Sequence, residues 1–378
     1  MKNIDTTFEW DPNKQQFFDS PGVTVLKGRP ETFNKMRGCG LDVYGRATDG
    51  TTAGPLILVP DVSNESGTID WAAPSTSPGH NYGSFRFFEK SDFRISGNSQ
   101  LGTTYFLDGS DLEHEYPITF KLYDDSRVTL EDLNYVILKT AELTTKKSPD
   151  FDGFLQPIFS ISAEVVELFY KAELYGYSIL NVQANVMSTA RIAGGNLGLL
   201  CFRDNAGLFI NNNLSQQVDS ELRLTSGLHF YKHSSGNITS RTIYNDVPDS
   251  NTTDTTAVEA VDQASVSIRT EQFLQGVGKG KIIQLSGNAQ VTINPMNGIV
   301  PINLIEEMYH PTKKCWPGMI NFKSGSKATL KLVGAALQNG QNLTALNSLK
   351  LVYVDGKPVD IASNFYVTFT DGITLKMK

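Results

Sequence analysis

The sequence predicts a mainly β protein, built as short-strand sandwich or barrel-like domains with a small helical insert. Turn pairs recur along it, at Asp49-Gly50, Asp108-Gly109, Asp152-Gly153, Asn297-Gly298, Asn339-Gly340, Asp355-Gly356 and Asp371-Gly372. The triplets Ser96-Gly97-Asn98, Ser235-Gly236-Asn237 and Ser286-Gly287-Asn288 join them. Gly reaches positive φ without steric cost, and Asn or Asp bonds its own local backbone, so each is an expected chain reversal. The segments between them are short and alternate apolar with polar residues, the period of a half-buried strand. Only 19% of residues are charged, and Ser, Thr, Asn, Gln and Gly make up the difference from the usual quarter.

Four segments follow from the pattern. Residues 1–125 read as a β-rich region with long loops, such as 73–82, between strands at Val23–Leu26, Ser84–Phe88 and Tyr105–Leu107. Residues 126–180 read as the helical insert. Thr129-Leu130-Glu131-Asp132 has the form of a helix N-cap with an acidic residue three positions on, and Leu133, Val136 and Ile137 follow at helical spacing. A helix is therefore expected over 130–142, then a polar linker over 144–153. A second helix is expected over 163–175, capped by Ser162 and ended by Gly176, in competition with a strand continuing from Ile158–Ile161.

Residues 181–275 return to short strands, at Leu197–Phe202, Leu208–Ile210, Leu222–Leu224 and Leu228–Tyr231, with 246–263 read as a polar exposed loop. Residues 276–378 form the last β segment, after a hinge expected at Gly276-Val277-Gly278-Lys279-Gly280 that lacks the spacing of a phosphate-binding loop. Two hairpins are expected there. A two-residue turn at Asp371-Gly372 would set polar against apolar faces. A three-residue loop, Thr370-Asp371-Gly372, pairs Phe369 with Ile373 and aligns both apolar faces. The same logic gives the loop Val354-Asp355-Gly356, each closed by a left-handed Gly in a G1 bulge.

Bulk chemistry excludes several classes. The net charge is −7 and Lys and Arg are spread thinly, with Lys146-Lys147 and Lys313-Lys314 the densest clusters, so no nucleic-acid partner is expected. Cys39, Cys201 and Cys315 are odd in number and far apart, which points to free thiols. No secretory signal or membrane span is expected, and the sequons at Asn64, Asn213, Asn237, Asn251 and Asn342 follow from composition.

Each candidate site has an ordinary alternative. Glu306, Glu307 and His310 would share a helix, where a charge pair outweighs a metal site for want of a second His. His229 and His233 lie four apart on a strand, roughly 13 Å, too far for one metal. Asp111, Glu113 and Glu115 alternate on one strand face, and with Asp108 could hold Ca²⁺ or act as a glycosidase pair. A solvated face or subunit rim is the default. The stretch 121–132 is no EF-hand, because Lys121 and Tyr123 occupy the first two ligand positions. Trp10, Trp71 and Trp316 are read as packing aromatics before sugar platforms. No catalytic, cofactor or metal residue is assigned, and no enzyme activity or cofactor is expected.

The punctuated short strands over 191–213 and 226–237, with the compact β segment over 281–378, resemble in texture the fibre, baseplate and tail-tip proteins of phage tails. That resemblance implies a structural virion component, assembled in a host cytoplasm. It would act through contacts with copies of itself, as a homotrimer, and with neighbouring virion proteins. The alternative is a carbohydrate-binding receptor module, with a polysaccharide-cleaving enzyme after it.

Overall fold

In the computed structural model, residues 8–36, 38–63, 65–71, 83–108, 118–190, 199–212, 219–247, 256–276, 281–309, 315–334 and 341–378 are described. The chain is mainly β, as expected. Within that class the arrangement is a parallel solenoid, where sandwich or barrel hairpins were expected. Apart from the short hairpins near the end of the chain, the strands pair in parallel with those one coil further on, so they stack in columns. Two compact units are formed, one of residues 1–171 and 177–181, the other of 172–176 and 182–378.

In the first unit the first column runs Gln16–Phe18, Leu41–Tyr44, Ser84–Phe88, Thr119–Tyr123 and Glu142–Lys146. A second column holds Thr24–Gly28, Leu56–Pro60 and Asp92–Ser96, and a third holds Ser66–Asp70 and Thr103–Leu107. Inward side chains stack in register. Trp71 is fully buried against Phe85 at 3.9 Å and Phe106 at 5.0 Å, and Phe93 and Phe120 complete an aromatic interior.

Both expected helices are strands. Arg127–Ile137 and Ile158–Glu167 each run through the second and third columns and bend between them. At the bend Asp132 takes φ 54° and the register slips between Leu130 and Leu133. The slip leaves Leu130, Leu133 and Val136 buried at intervals of three, which imitates a helix stripe although each arm alternates by two. Ala163 and Val166 repeat the effect across the second bend. The expected linker also begins late, since Thr144 to Lys146 belong to a strand.

In the second unit the first column runs Leu199–Phe202, Gly227–Phe230, Thr256–Ala260, Lys281–Leu285, Ile320–Phe322 and Val352–Val354. Gly207–Asn212, Ser235–Ser240, Ser265–Thr270, Gln290–Pro295 and Thr329–Val333 form the second column. The third is Val186–Ser188, Glu221–Leu224, Thr242–Asn245 and Gln272–Gln275. In later coils the helices Leu304–Tyr309 and Gln341–Ser348 follow the second-column strands instead, and they pack on each other. The expected loop over 246–263 contains the buried strand Thr256–Ala260, whose small Ala257, Val258 and Ala260 fit the interior.

The coil corners share one turn geometry. Between the first and second columns Glu89 and Asp124 in the first unit, and Asp204, Lys232, Asp262 and Gly287 in the second, all have φ between 52° and 64°. Two residues later comes a buried small residue, Ser91, Ser126, Ala206, Ser234, Ala264 and Ala289 in turn. Its N–H donates to the C=O three residues back, at 3.0 to 3.2 Å, closing a tight turn. The triplet at 235–237 is no reversal at all but lies inside a strand, where a side chain on Gly236 would meet the Phe230 ring at 2.7 Å.

Four of the seven expected turn pairs are true reversals, while Asn339-Gly340 and Gly109 lie outside the described residues. Asp49-Gly50 and Asn297-Gly298 turn back short excursions, the second with both residues at positive φ. At Asp355-Gly356 both φ are again positive, and Val354 faces Lys357, so this loop has two residues and not the expected three. Coil stacking decides it: Ile320↔Val352 and Phe322↔Val354 fix the strand from its parallel side. The last hairpin keeps the expected register, with Val367↔Leu375 and Phe365↔Met377, on the line that pairs Phe369 with Ile373. Its turn differs from the expected bulge, because Asp371 at φ 56° excludes a type I turn and Gly372 sits at φ 137°. Gly372–Met377 also lies antiparallel on Thr329–Val333, which covers that strand edge.

Candidate functional site

On a solenoid strand every second residue points outward, so a residue type repeated once per coil becomes a continuous surface ladder. The first column of the first unit builds one. Val43, Phe87 and Leu122 point in and are buried, which turns the next residues, Tyr44, Phe88 and Tyr123, outward. Tyr44 and Phe88 stack at 4.9 Å with planes 9° apart, and Phe88 and Tyr123 at 4.6 Å and 15°.

Two residues back on the same face, Asp42 and Arg86 form a forked ion pair, with Gln15 donating to Asp42 at 3.1 Å. Burial pushes the Asp42 carboxyl up, and the Arg86 and Gln15 hydrogen bonds offset only part of that. The guanidinium also sits 5.9 Å from the Phe88 ring, so it braces the ladder.

Two loops rise beside the ladder and enclose a cleft of about 760 Å³. One is the reversal at 46–52, held by the Arg46↔Thr52 bridge and by Asp49, which accepts from Thr51 N–H at 2.9 Å. The other is 148–153, anchored where Asp124 accepts from Ser148 N–H at 2.8 Å and Ser148 Oγ at 2.7 Å. Asp124 is buried and spent on this anchor. The groups left to meet a ligand are Glu89, Lys90, Arg46, Asp150 and Asp152 around the edges of Tyr44 and Phe88, with Phe151 on the loop side. An apolar floor with a rim of charged donors and acceptors suits a small amphipathic ligand rich in hydroxyls.

The residues singled out from sequence lie elsewhere. Trp71 is core and Trp10 stacks on it at 6.3 Å, donating its indole N–H to Asn34 O at 2.9 Å. Trp316 is half-buried. His229 is on a strand as expected, with its Nδ1 3.0 Å from Glu259, while His233 lies in the following corner. Burial pushes the Glu259 carboxyl up, but hydrogen bonds from His229, Gln284 and Tyr231 outweigh it and leave the group below its usual range.

Helix Leu304–Tyr309 exposes Glu306 and buries Glu307. His310, Asp111, Glu113 and Glu115 fall outside the described residues, and so does the glycine-rich stretch after Gly276. Asp108 accepts from the N–H groups of Thr140 and Ala141 at 2.6 and 3.0 Å, which makes it a corner brace. Lys121 points outward from Thr119–Tyr123.

Among the described residues no group of three or more His, Cys, Asp or Glu is placed to hold a metal, and no helix is long and apolar enough to cross a membrane. None of Cys39, Cys201 and Cys315 forms a disulfide. No protein-family model matches the chain, and neither a curated protein nor a solved structure matches it.

Proposed function

We propose that this chain is a solenoid component of a phage tail that binds carbohydrate in the cleft of its first unit, without cleaving it. The observation that carries the binding reading is the Tyr44–Phe88 stack at the floor of a cleft rimmed by Glu89, Lys90, Asp150 and Asp152. Sugar rings offer apolar C–H faces and a dense set of hydroxyls, and this pairing of aromatic floor and charged rim meets both. Support for the virion setting is the texture of the sequence, in which short strands punctuated by turn residues present surfaces. The test is a glycan array probed with the full chain and with Tyr44→Ala and Phe88→Ala. Retention of a glycan class that either variant loses supports the reading. No retained glycan, or retention unchanged in both variants, overturns it, and release of new reducing ends would contradict the non-enzymatic part.

One observation favours a second role, assembly with copies of itself or neighbouring virion proteins. The strands of the first coil, Gln16–Phe18 and Thr24–Gly28, each pair on one side only among the described residues, and Phe17 and Val25 on them are 59% and 46% exposed. An open strand edge with exposed apolar residues is a ready contact for another chain. Light scattering that gives a monomer at all concentrations would remove this role.

A further inference from the structure

The second unit carries its own surface ladder at the same place in the coil, and its chemistry is different. Tyr175, Arg203 and Tyr231 each directly follow a first-column strand, Lys171–Leu174, Leu199–Phe202 and Gly227–Phe230. Backbone bonds from Arg203 N–H to Leu174 O and from Tyr231 N–H to Phe202 O, both 2.9 Å, hold the three in one row. The Arg203 guanidinium lies 4.7 Å from the Tyr231 ring centroid, and its Nε is buried without a hydrogen-bond partner.

Arg203 forms no ion pair among the described residues, although carboxylates are near. Each of those is engaged. Asp204 holds Lys232 at 2.6 Å, Glu259 holds His229 at 3.0 Å and Gln284 at 2.7 Å, and Glu173 accepts from the Tyr175 hydroxyl at 3.4 Å. A planar cation beside an aromatic ring, without an ion-pair partner among the described residues, is placed to meet a planar anion outside the chain through its outer guanidinium nitrogens. Tyrosines in the row on either side supply apolar contact for the ring that carries the anion.

We propose that Tyr175, Arg203 and Tyr231 form a subsite for the carboxylate of an acidic saccharide. This rests on the carbohydrate reading above and narrows it to uronate-bearing glycans. The net charge of −7 repels a polyanion at long range, so discrimination has to come from this local cation.

The test uses the full chain with polygalacturonate, alginate and hyaluronan, each also in a form whose carboxyls are reduced to alcohols. Affinity is measured for the unsubstituted protein and for Arg203→Gln, Arg203→Lys and Tyr175→Ala, with melting curves as a fold check. The subsite predicts at least about tenfold tighter binding of one carboxylated glycan than of its reduced form. Arg203→Gln removes that preference and leaves the reduced form unchanged, while Arg203→Lys, which keeps the charge and loses the fork, falls between. If Arg203→Gln does not fold, a reduced preference in Arg203→Lys and weaker binding in Tyr175→Ala carry the test. Equal binding of both forms overturns the subsite, as does a preference that survives Arg203→Gln and Arg203→Lys. No binding of any acidic glycan overturns it too. In each of these cases the cleft reading is judged separately by Tyr44→Ala and Phe88→Ala on neutral glycans.

Discussion

The two units are the same backbone solution filled in different ways. First-column strands of the first unit begin at residues 16, 41, 84, 119 and 142, so its coils vary widely in length. Those of the second begin at 199, 227, 256 and 281, a nearly even repeat, and then at 320 and 352, where helices lengthen the coils. The uneven coils surround large rings, with Trp71, Phe85, Phe93, Phe106 and Phe120 buried together. The even coils stack aliphatic residues, such as Leu208, Ile210, Ile238, Val266 and Ile268, beside a corner row of buried Asn212, Ser240 and Thr270. Regular coils keep equivalent residues in register, whereas variable coils spend their extra length on loops. The cleft is made by two such loops.

The largest expected difference lies in the interiors. Trp71→Ala should cost about 3–5 kcal/mol in the first unit, because no neighbour collapses into so large a void. Urea unfolding followed by hydrogen exchange should then show the first unit opening well before the second, as nearest-neighbour stability in a solenoid predicts. A single concerted transition in the variant would mean that the units share one core. In the second unit Ile268→Val should cost only about 0.5–1.5 kcal/mol.

Next in size is a pH effect confined to the first unit. Burial pushes the Asp108 carboxyl up to about 6, against hydrogen bonds from Thr140 and Ala141 that lower it. Between its unfolded value near 4 and that folded value the native chain holds a proton that the unfolded chain has released. Stability from this group is therefore greatest below about pH 4 and falls as pH rises through 6, by at most about 3 kcal/mol. Asp108→Asn should flatten that fall, seen as urea midpoints at pH 4 and 7 that no longer separate through the first unit. An unchanged pH slope in the variant would assign it to other groups.

A smaller effect probes the corners common to both units. Ala264→Leu places a larger side chain at a fully buried corner and should cost about 1–3 kcal/mol. Gln263→Leu, one residue earlier and exposed, should change the melting temperature little. Similar losses for both would show that the corner has no special size limit.

Much of the local structure was legible. Ser84–Phe88 was read to the residue, and strands were placed at Leu199–Phe202, Gly207–Asn212, Glu221–Leu224 and Gly227–Phe230 but not at Ser235–Ser240 or Thr256–Ala260, because alternation over four or five residues survives any fold only where turn residues do not mask it. The solenoid was not. Asp204 and Asp262 adopt positive φ at a coil corner by the same chemistry that serves a hairpin, so turn residues announce a bend but not whether the next strand is parallel. The missing signal was the repeat itself: a turn residue, then one position, then Ala or Ser, then alternating apolar residues, recurring from Asp204 to Lys232 to Asp262 to Gly287. The two bent strands failed for the opposite reason, since a single slip of register mimics a helix. Tyr44 and Phe88 were invisible as a pair because a whole coil separates them. Their signal was an aromatic residue directly after the last inward residue of most first-column strands from Leu41–Tyr44 to Gly227–Phe230, at Tyr44, Phe88, Tyr123, Tyr175 and Tyr231, interrupted by Lys146 and Arg203.

The most direct measurement of the central claim compares hydrogen exchange of the full chain with and without a saturating glycan chosen from the array. Binding in the first unit predicts slowed exchange at residues 44–46, 88–90 and 148–153, the segments that line the cleft. Unchanged exchange in all three segments, with the glycan demonstrably bound, would contradict the account.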